Sequence, residues 1–308
     1  MQGLAGVVLA AGAGTRLRPL TDQLPKALVP VGCVPLLDSA LDRLAAALGD
    51  DRPTPDRVAV NAHALAELVA QAAAGRAHLS REDLLPAADE DDERAGARPA
   101  ARPAPPALGP LTPPPALGTA GALGALRDWL DGRPVLVTNA DAWMPDGPAL
   151  LTDLVRGWDG RRCRLLCEPA APGARADFRT PDGTGVRYVG SCVLPAHLVA
   201  RLRPVPSGLY EVLWRELAAQ PGDDGLDLAV VPPGSAVDCG TPADYLRANL
   251  LATGGESAVD PGAEVLGRVE RCVVWPGAVV AAHEHLVEVV RAGSARRPVT
   301  VPASAPSA

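Results

Sequence analysis

A glycine-rich loop and a lone lysine lie close together near the start of the chain. The loop spans residues 9–16 with the sequence LAAGAGTR, and Lys26 is the only lysine among the 308 residues. Glycine lets the main chain approach an anion and adopt positive φ, which leaves backbone N–H groups available to phosphate. A compact ammonium can meet phosphate oxygens from several directions. These residues indicate phosphate chemistry, although the glycines alone are equally typical of an ordinary strand-to-helix turn.

The loop is the first part of a longer pattern. Residues 9–30 read LAAGAGTRLRPLTDQLPKALVP, which lacks both the GxxxxGK[ST] of a Walker loop and the GxGxxG of a dinucleotide fold. The order of Gly-Thr-Arg, Arg-Pro-Leu-Thr and Pro-Lys in this run resembles the nucleotide-sugar pyrophosphorylases, also called sugar-1-phosphate nucleotidyltransferases. The resemblance covers residues 3–252 apart from one insertion. It implies Mg²⁺-dependent transfer of a nucleotidyl group from a nucleoside triphosphate to a sugar 1-phosphate, with pyrophosphate as the second product.

This resemblance assigns roles to the two cations of the run. Arg16 is expected to hold triphosphate oxygens, and Lys26 to bridge the sugar phosphate and the α-phosphate while negative charge grows on the departing pyrophosphate. The transfer is expected to be a direct in-line displacement without a covalent enzyme intermediate. Arg18 is expected to be a loop-bracing surface residue. The loop residues expected to contact the nucleotide are Leu9, Ala10, Ala11, Gly12, Gly14 and Thr15.

Two aspartates are the candidate ligands for Mg²⁺, which takes hard oxygen ligands and usually only one or two protein carboxylates. Asp141 ends the apolar run VLVTNAD at residues 135–141 and matches the family's metal-binding aspartate. A helix N-cap is the alternative interpretation of a lone carboxylate at a strand end. Asp238 lies in VDCGTP at residues 237–242, which resembles the family's second metal-binding element, and Thr241 is expected to cap the helix that follows.

The segments expected to bind the base and the sugar match the family less closely. Gly118, in LGTAGAL at residues 117–123, resembles the residue whose backbone lies against the base, and Thr119 is expected to cap the helix that starts there. Glu168 resembles a glutamate that accepts hydrogen bonds from sugar hydroxyls. Gly190 resembles a glycine of the strand that lines the sugar.

The sugar side also departs from the family pattern. The family's glutamate is commonly followed by a lysine and a proline, whereas Glu168 is followed directly by Pro169 and the chain has no second lysine. A second cation for the sugar phosphate must therefore be an arginine such as Arg179, be replaced by a metal ion, or be missing.

The elements that must position these residues alternate between strands and helices. Short apolar runs at residues 6–11, 58–61 and 135–138 predict buried strands, and the apolar spacing over 36–48 predicts an amphipathic helix that ends at Gly49. Such alternation predicts an α/β fold, a Rossmann-like and mostly parallel mixed sheet flanked by helices, with ligands at the carboxyl ends of the strands. Further strands are expected at 164–167, 187–194 and 228–231, and further helices at 63–74, 209–219 and 242–252.

The composition divides the chain into expected parts. Residues 1–252 are expected to form the nucleotidyltransferase domain, interrupted at 86–115 by a proline-rich stretch without apolar periodicity that is expected to be a disordered insertion. Residues 253–292 contain valine pairs six residues apart, and this spacing predicts a short stub of a left-handed hexapeptide β-helix. Residues 293–308 are expected to be a flexible tail.

Charge and cysteine usage exclude several classes of protein. The chain has 29 basic and 36 acidic residues and a formal net charge of −7, so it lacks the basic footprint of a nucleic-acid binder. No apolar run reaches the roughly 18 residues of a membrane helix, and no signal-peptide pattern opens the chain, which predicts a cytoplasmic protein without a membrane partner. The six cysteines form no CxxC pair and are expected to be buried thiols.

The sequence leaves several functions open. Mannose 1-phosphate with GTP, and an N-acetylmuramic or similar sugar phosphate with UTP, are the leading substrate pairs, and the loop does not choose between them. The missing sugar-side lysine also fits a catalytically silent regulatory relative that binds nucleotide sugar, against which Arg16, Lys26, Asp141 and Asp238 argue. A homo-oligomeric scaffold assembled through the stub is the third option.

Overall fold

The computed structural model describes residues 3–84, 115–220 and 225–303, so the expected insertion, apart from Pro115, lies outside the described residues. The strands in these ranges are β1 (Ala5–Leu9), β2 (Pro30–Val31), β3 (Val34–Pro35), β4 (Val58–Ala62), β5 (His78–Arg81), β6 (Val135–Asn139), β7 (Ala142–Trp143), β8 (Arg164–Pro169), β9 (Phe178–Arg179), β10 (Gly185–Leu194), β11 (Asp227–Val230), β12 (Val237–Asp238), β13 (Ala258–Val259), β14 (Glu264–Val265), β15 (Arg268–Glu270), β16 (Val273–Val274), β17 (Val279–Val280), β18 (His285–Val287), β19 (Val289–Ser294) and β20 (Arg297–Pro302). The helices are α1 (Leu36–Leu48), α2 (Ala66–Ala73), α3 (Gly118–Ala125), α4 (Arg127–Leu130), α5 (Gly147–Arg156), α6 (Ala196–Val199), α7 (Arg215–Ala218) and α8 (Pro242–Ala252).

A mixed sheet organises the larger part of the molecule, with the strand order β11-β8-β10-β6-β1-β4-β5 and β9 paired to β10. β1 pairs parallel with both β4 and β6, β4 pairs parallel with β5, and β8 with β11. Only β10 runs against its neighbours in this described sheet, since its pairs with β6, β8 and β9 are antiparallel. The predicted α/β fold with a mostly parallel mixed sheet is confirmed.

Helices cover both faces of this sheet, which is why its central strands are nearly continuous apolar runs. Alternate residues of β1 enter different clusters of buried side chains. Val8 packs in the cluster that contains Leu41 of α1 and Leu151 of α5, whereas Val7 packs in the cluster that contains Leu123 of α3.

Two helices begin and end where the sequence predicts. Helix α1 spans Leu36–Leu48 and stops at Gly49, whose φ of 76° is the left-handed conformation that glycine adopts most easily at a helix end. Helix α8 spans Pro242–Ala252, and the Thr241 hydroxyl accepts the Asp244 N–H at 3.1 Å, which is the expected N-cap. In the described parts of the chain, no helix has the length and apolarity to cross a membrane.

The C-terminal region coils as a β-helix-like stub. β13, β16 and β19 stack as one parallel ladder, while β14 with β17 and β15 with β18 form two more. The valines six residues apart lie on successive sides of the coil, since Val259 pairs with Val274 and Val265 with Val280 of the next turn. The predicted stub is confirmed.

The end of the chain differs from the expected flexible tail. β20 pairs antiparallel with β19 along its whole length, and Val301 and Ala303 are buried against the same cluster as Val290. A hairpin is favoured here because the last coil would otherwise expose an unpaired strand edge and apolar side chains. The prediction is therefore wrong for residues 293–303, and residues 304–308 lie outside the described part.

The stub packs on the sheet domain through an aromatic pair. The Trp275 indole N–H donates to the Tyr245 hydroxyl at 2.9 Å, and both rings lie in the cluster that contains Leu17 and Leu20. Because Leu17 and Leu20 follow the glycine-rich loop, the stub and this loop share one core.

Candidate active site

The glycine-rich loop and Asp141 meet at one edge of the sheet. β1 and β6 are adjacent and parallel, so the chain leaves both strands at their carboxyl ends on the same side, and the Ala140 N–H donates to the Leu9 carbonyl at 2.9 Å. Ligands bind at such carboxyl edges in open α/β sheets.

Lys26 lies between the two predicted metal ligands. Its Nζ donates to Asp141 Oδ2 at 2.5 Å and to Asp238 Oδ1 at 3.4 Å. The lysine side chain is 8% exposed, whereas those of Asp141 and Asp238 are 35% and 55% exposed. A nearly buried ammonium needs such partners because an unpaired buried charge is costly. The two carboxylates remain open to a ligand from the solvent side.

A short antiparallel ladder brings Asp238 to Asp141. β12 pairs with β7 so that Asp238 lies opposite Ala142, and the Cys239 N–H donates to the Asp141 carbonyl at 3.0 Å. The two aspartates therefore take their positions from the end of β6 and from β12, which lie far apart in the sequence.

Arg16 lies at the exposed side of the same cluster. Its Nη2 is 3.7 Å from Asp238 Oδ2, and its side chain is 64% exposed. A Cβ at position 240 would overlap the Arg16 guanidinium and lie 3.0 Å from Asp238 Oδ1. The absence of a side chain at Gly240 leaves room for this approach. Sequence reasoning did not single it out, although it is the glycine of the Asp-x-Gly-Thr-Pro element.

The two glycines of the loop have different surroundings. Gly14 has a φ of 62°, and a Cβ there would lie 2.9 Å from Thr21 Cγ2 and 3.1 Å from Lys26 Cβ. The Thr21 hydroxyl donates to the Gly14 carbonyl at 2.7 Å. Gly12, by contrast, has no atom within 4 Å of an added Cβ. Gly14 is thus closely packed beside Thr21 and Lys26, while Gly12 faces open space that a ligand can enter.

A chain of buried polar groups connects the loop to the predicted base segment. The Ala10 N–H donates to Asn61 Oδ1 at 2.7 Å, and Asn61 Nδ2 donates to Glu82 Oε1 at 2.6 Å. The Leu117 N–H donates to the other oxygen, Glu82 Oε2, at 2.9 Å. Sequence reasoning missed Glu82, which is 1% exposed, because the only signal for it is its place directly after a strand, next to the proline-rich stretch.

Gly118 is fixed by a close backbone approach. Its φ is 69°, and a Cβ there would lie 2.6 Å from the Ser207 carbonyl oxygen. Thr119 does not cap α3 as expected, because the helix begins at Gly118 itself and the Thr119 hydroxyl accepts the Leu209 N–H at 2.8 Å. This threonine ties the base segment to the π-helical turn at Tyr210–Trp214 instead.

A small cavity of about 150 Å³ is lined by one of the two predicted sugar-side residues, Gly190, whereas Glu168 is not among its lining residues. Gly190, with a φ of 95°, lines it, and a Cβ there would lie 2.9 Å from Ala142 Cβ. Glu168 is only 3% exposed, and its Oε1 accepts the Ala236 N–H at 2.7 Å. Arg179 does not line this cavity and donates to the Gly183 carbonyl at 3.0 Å. The arginine that does line it is Arg187, which sequence reasoning missed.

A buried arginine braces the strand end below Asp141. Arg43 Nε donates to Thr138 Oγ1 at 3.0 Å and Nη2 donates to the Asn139 carbonyl at 2.5 Å. Burial lowers the pKa of Arg43 to about 10, and the nearby Asp141 opposes this shift. The sequence does contain a clue to this buried arginine, because Arg43 is a charged residue on the face of α1 that otherwise carries apolar residues such as Leu36.

The carboxylates of Asp141 and Asp238 suit Mg²⁺. Both already share a single cation, the Lys26 ammonium, and one or two carboxylates with water and phosphate oxygens are the usual donors for this metal. Within the described residues, no three or more His, Cys, Asp or Glu side chains lie close enough together to hold a metal ion. His285 pairs with Glu270 at 2.8 Å on the exposed side of the stub.

Comparison with known proteins gives one family. The nucleotidyl transferase family model matches residues 5–157. The N-acetylmuramate alpha-1-phosphate uridylyltransferase of Caulobacter vibrioides is 31% identical over 265 residues, which cover 79% of this chain and 94% of that protein.

Solved structures agree on the fold. A protein from Thermus thermophilus described as mannose-1-phosphate geranyltransferase has a TM-score of 0.58 at 18% identity and covers 98% of this chain and 95% of its own. HddC from Yersinia pseudotuberculosis has a TM-score of 0.54 at 16% identity, with 80% of this chain and 98% of its own covered.

Proposed function

Because the chain belongs to the sugar-1-phosphate nucleotidyltransferase family, we propose that it converts a nucleoside triphosphate and a sugar 1-phosphate into a nucleotide sugar and pyrophosphate. The observation that carries this proposal is the Lys26 ammonium held between Asp141 and Asp238 at the carboxyl edge of the sheet, beside an exposed glycine-rich loop. These are the groups that phosphoryl-type chemistry requires, namely a fixed cation, carboxylates for a metal ion and free backbone N–H groups.

In the proposed reaction a sugar phosphate oxygen attacks the α-phosphorus and the bond to pyrophosphate breaks. Main-chain N–H groups of loop residues 11–15 bind the triphosphate, since the Ala10 N–H is taken by Asn61 and Leu9 belongs to β1, and Arg16 contacts its outer oxygens. Lys26 stabilises the charge that grows on the transferring group, since a pre-positioned ammonium does not need to reorganise during the reaction. Gly118 lies against the base, and Gly190 lines the sugar. Mg²⁺ held by Asp141 and Asp238 would supply neutralising positive charge at the phosphates.

The transfer proceeds directly, without a nucleotidyl-enzyme intermediate. Cys239 is the nucleophilic side chain beside Asp238, and it is fully buried. Burial raises the pKa of the Cys239 thiol to about 12, against the opposing effect of the Lys26 charge. It therefore stays protonated at neutral pH and is not available as a nucleophile.

UTP and N-acetylmuramate α-1-phosphate are the proposed substrates. The support is the relative from Caulobacter vibrioides, which carries that name and aligns with this chain over 94% of its length. GTP with mannose 1-phosphate is the competing pair in the same assay.

The test is a pyrophosphate-release screen of purified protein with Mg²⁺. It crosses the common nucleoside triphosphates with N-acetylmuramate, N-acetylglucosamine, glucose and mannose 1-phosphates. Release is expected to be fastest for UTP with N-acetylmuramate 1-phosphate and absent in Lys26→Ala, a control that excludes a contaminating enzyme. No release with any pair, together with tight binding of a nucleotide sugar, would contradict catalysis and favour the regulatory function.

A further inference from the structure

The cavity lined by Gly190 has two carboxylates in its wall, although the sugar 1-phosphate proposed to enter it is itself negatively charged. Asp141 and Asp238 both line it, and a phosphate monoester at neutral pH has a charge of roughly −1.5 to −2. Lys26 already has two carboxylate partners. Lys26 and a metal ion on the two carboxylates must also offset the charge of the triphosphate, so a further cation favours binding of a phosphate from the sugar side.

Arg187 is the one lysine or arginine that lines this cavity among the described residues. It lies on β10 directly opposite Glu168 of β8, and its Nη2 is 3.4 Å from Glu168 Oε2. The Arg187 side chain is 40% exposed. A guanidinium has five N–H donors in a planar fork, and within the described residues Glu168 is its one hydrogen-bond partner. The remaining donors are available to an anion in the cavity.

Glu168 keeps this guanidinium in position. The carboxylate is almost fully buried, and its other oxygen is held by the Ala236 N–H. A buried carboxylate needs a charged or hydrogen-bonded partner on each side, so Arg187 is drawn to the cavity wall rather than into solvent. Ala236 is two residues before Asp238, which places the carboxylate between the arginine and the strand of the metal ligand.

We propose that Arg187 binds the phosphate of the sugar 1-phosphate in this cavity. Its planar fork can meet two phosphate oxygens at once. The proposal rests on the proposed function and adds the group that holds the second substrate. Glu168 is the positioning residue for this arginine.

The test measures Michaelis constants for both substrates in Arg187→Gln and Arg187→Lys. Arg187→Gln is expected to raise the KM for the sugar 1-phosphate by roughly 10- to 100-fold, the effect of losing a charge-assisted pair, with the KM for the triphosphate within about twofold. Arg187→Lys is expected to recover part of the loss because it restores the charge without the fork. The matched control is Arg179→Gln, which removes an exposed arginine next to the same strand and leaves both constants unchanged.

Each other outcome overturns the proposal in a distinct way. An unchanged KM for the sugar phosphate in Arg187→Gln, with wild-type activity present, removes the role of Arg187 and leaves the proposed function intact. An increase confined to N-acetylmuramate 1-phosphate and absent with N-acetylglucosamine 1-phosphate shows that Arg187 binds the lactyl carboxylate instead. If Arg187→Gln does not fold by circular dichroism, Arg187→Met takes its place, because it keeps an aliphatic side chain without the charge, and an unchanged KM for the sugar 1-phosphate there overturns the proposal in the same way. A wild-type protein without any pyrophosphate release overturns the proposed function as well.

Discussion

The proposed nucleotide side and the proposed sugar side of the site are built in different ways. On the nucleotide side, one continuous segment from Leu9 to Lys26 supplies the loop and both cations, and the family model matches the region that contains it, residues 5–157. On the sugar side, Glu168, Arg187 and Asp238 come from three separate strands, and all lie beyond that match. A contiguous segment is visible as a sequence pattern, whereas residues joined only by strand pairing are not.

The same difference appears in what the charged groups contact. Lys26 contacts Asp141 and Asp238, the two aspartates that the sequence predicts as metal ligands. Glu168, expected to accept sugar hydroxyls, is instead engaged by a backbone N–H and an arginine on the next strand. Its predicted contact with the sugar stays a prediction.

The largest expected effect is on the nucleotide side. Lys26→Arg keeps the charge but places a larger planar group in a pocket where the lysine is 8% exposed and Gly14 packs on its Cβ. We expect kcat to fall by roughly 10³-fold, comparable with the loss of a key charge-stabilising group. Arg18→Lys is the matched control, because Arg18 is exposed and pairs with Asp22 at 3.3 Å. A kcat of Lys26→Arg within tenfold of the wild-type value would contradict the role assigned to the ammonium.

The second effect concerns the metal. Asp238→Asn is expected to lower kcat by about 100-fold and to shift the Mg²⁺ titration of activity to higher concentration, because a neutral amide is a weaker ligand. Asp244→Asn, six residues later in α8, serves as the control, and its Mg²⁺ dependence is expected to match the wild type. An equal shift in both variants would show a general effect of charge rather than loss of a ligand.

The third prediction compares the two loop glycines. Gly14→Ala forces a side chain into positive φ and against Thr21 and Lys26, so we expect the free energy of unfolding to fall by about 1–2 kcal/mol. Gly12→Ala meets open space, so it is expected to keep its stability and to raise the KM for the triphosphate. Urea denaturation and steady-state kinetics on both variants check this, and equal stability losses would remove the distinction.

The smallest expected effect lies in the stub. Trp275→Phe removes the hydrogen bond to the Tyr245 hydroxyl, which is expected to lower the free energy of unfolding by about 1 kcal/mol with little change in kcat. Thermal or urea unfolding gives the first quantity and the pyrophosphate assay the second. A large loss of turnover would show that the stub positions the loop through the core that contains Leu17 and Leu20.

The sequence predicted elements whose signals are local. Helices α1 and α8 have the bounds expected from apolar spacing and caps, since Gly49 and Thr241 act within one turn of their own helix. Thr119 has the same local pattern, but a tertiary bond to the Leu209 N–H replaces the cap. The strand at the end of the chain was missed because its stability comes from pairing with β19 rather than from its own composition.

The candidate site, like the fold, was predictable only where the signal is local in the sequence. Arg16, Lys26, Asp141 and Asp238 lie together as the sequence suggested. Glu82, Arg43 and Arg187 were missed because their roles depend on neighbours from distant parts of the chain, which spacing along the sequence does not show. For the second cation the sequence left open an arginine such as Arg179, a metal ion or no group at all, and in our proposal it is Arg187.

The most direct test of the central claim, direct transfer between two substrates in one site, is isotope exchange. Wild-type protein is incubated with Mg²⁺, UTP and labelled pyrophosphate, with and without the nucleotide sugar that the screen identifies. Direct displacement predicts that label enters UTP only when the nucleotide sugar is present, because pyrophosphate then attacks it in the reverse reaction. Exchange into UTP without any sugar substrate would contradict the account, since it requires a nucleotidyl-enzyme intermediate.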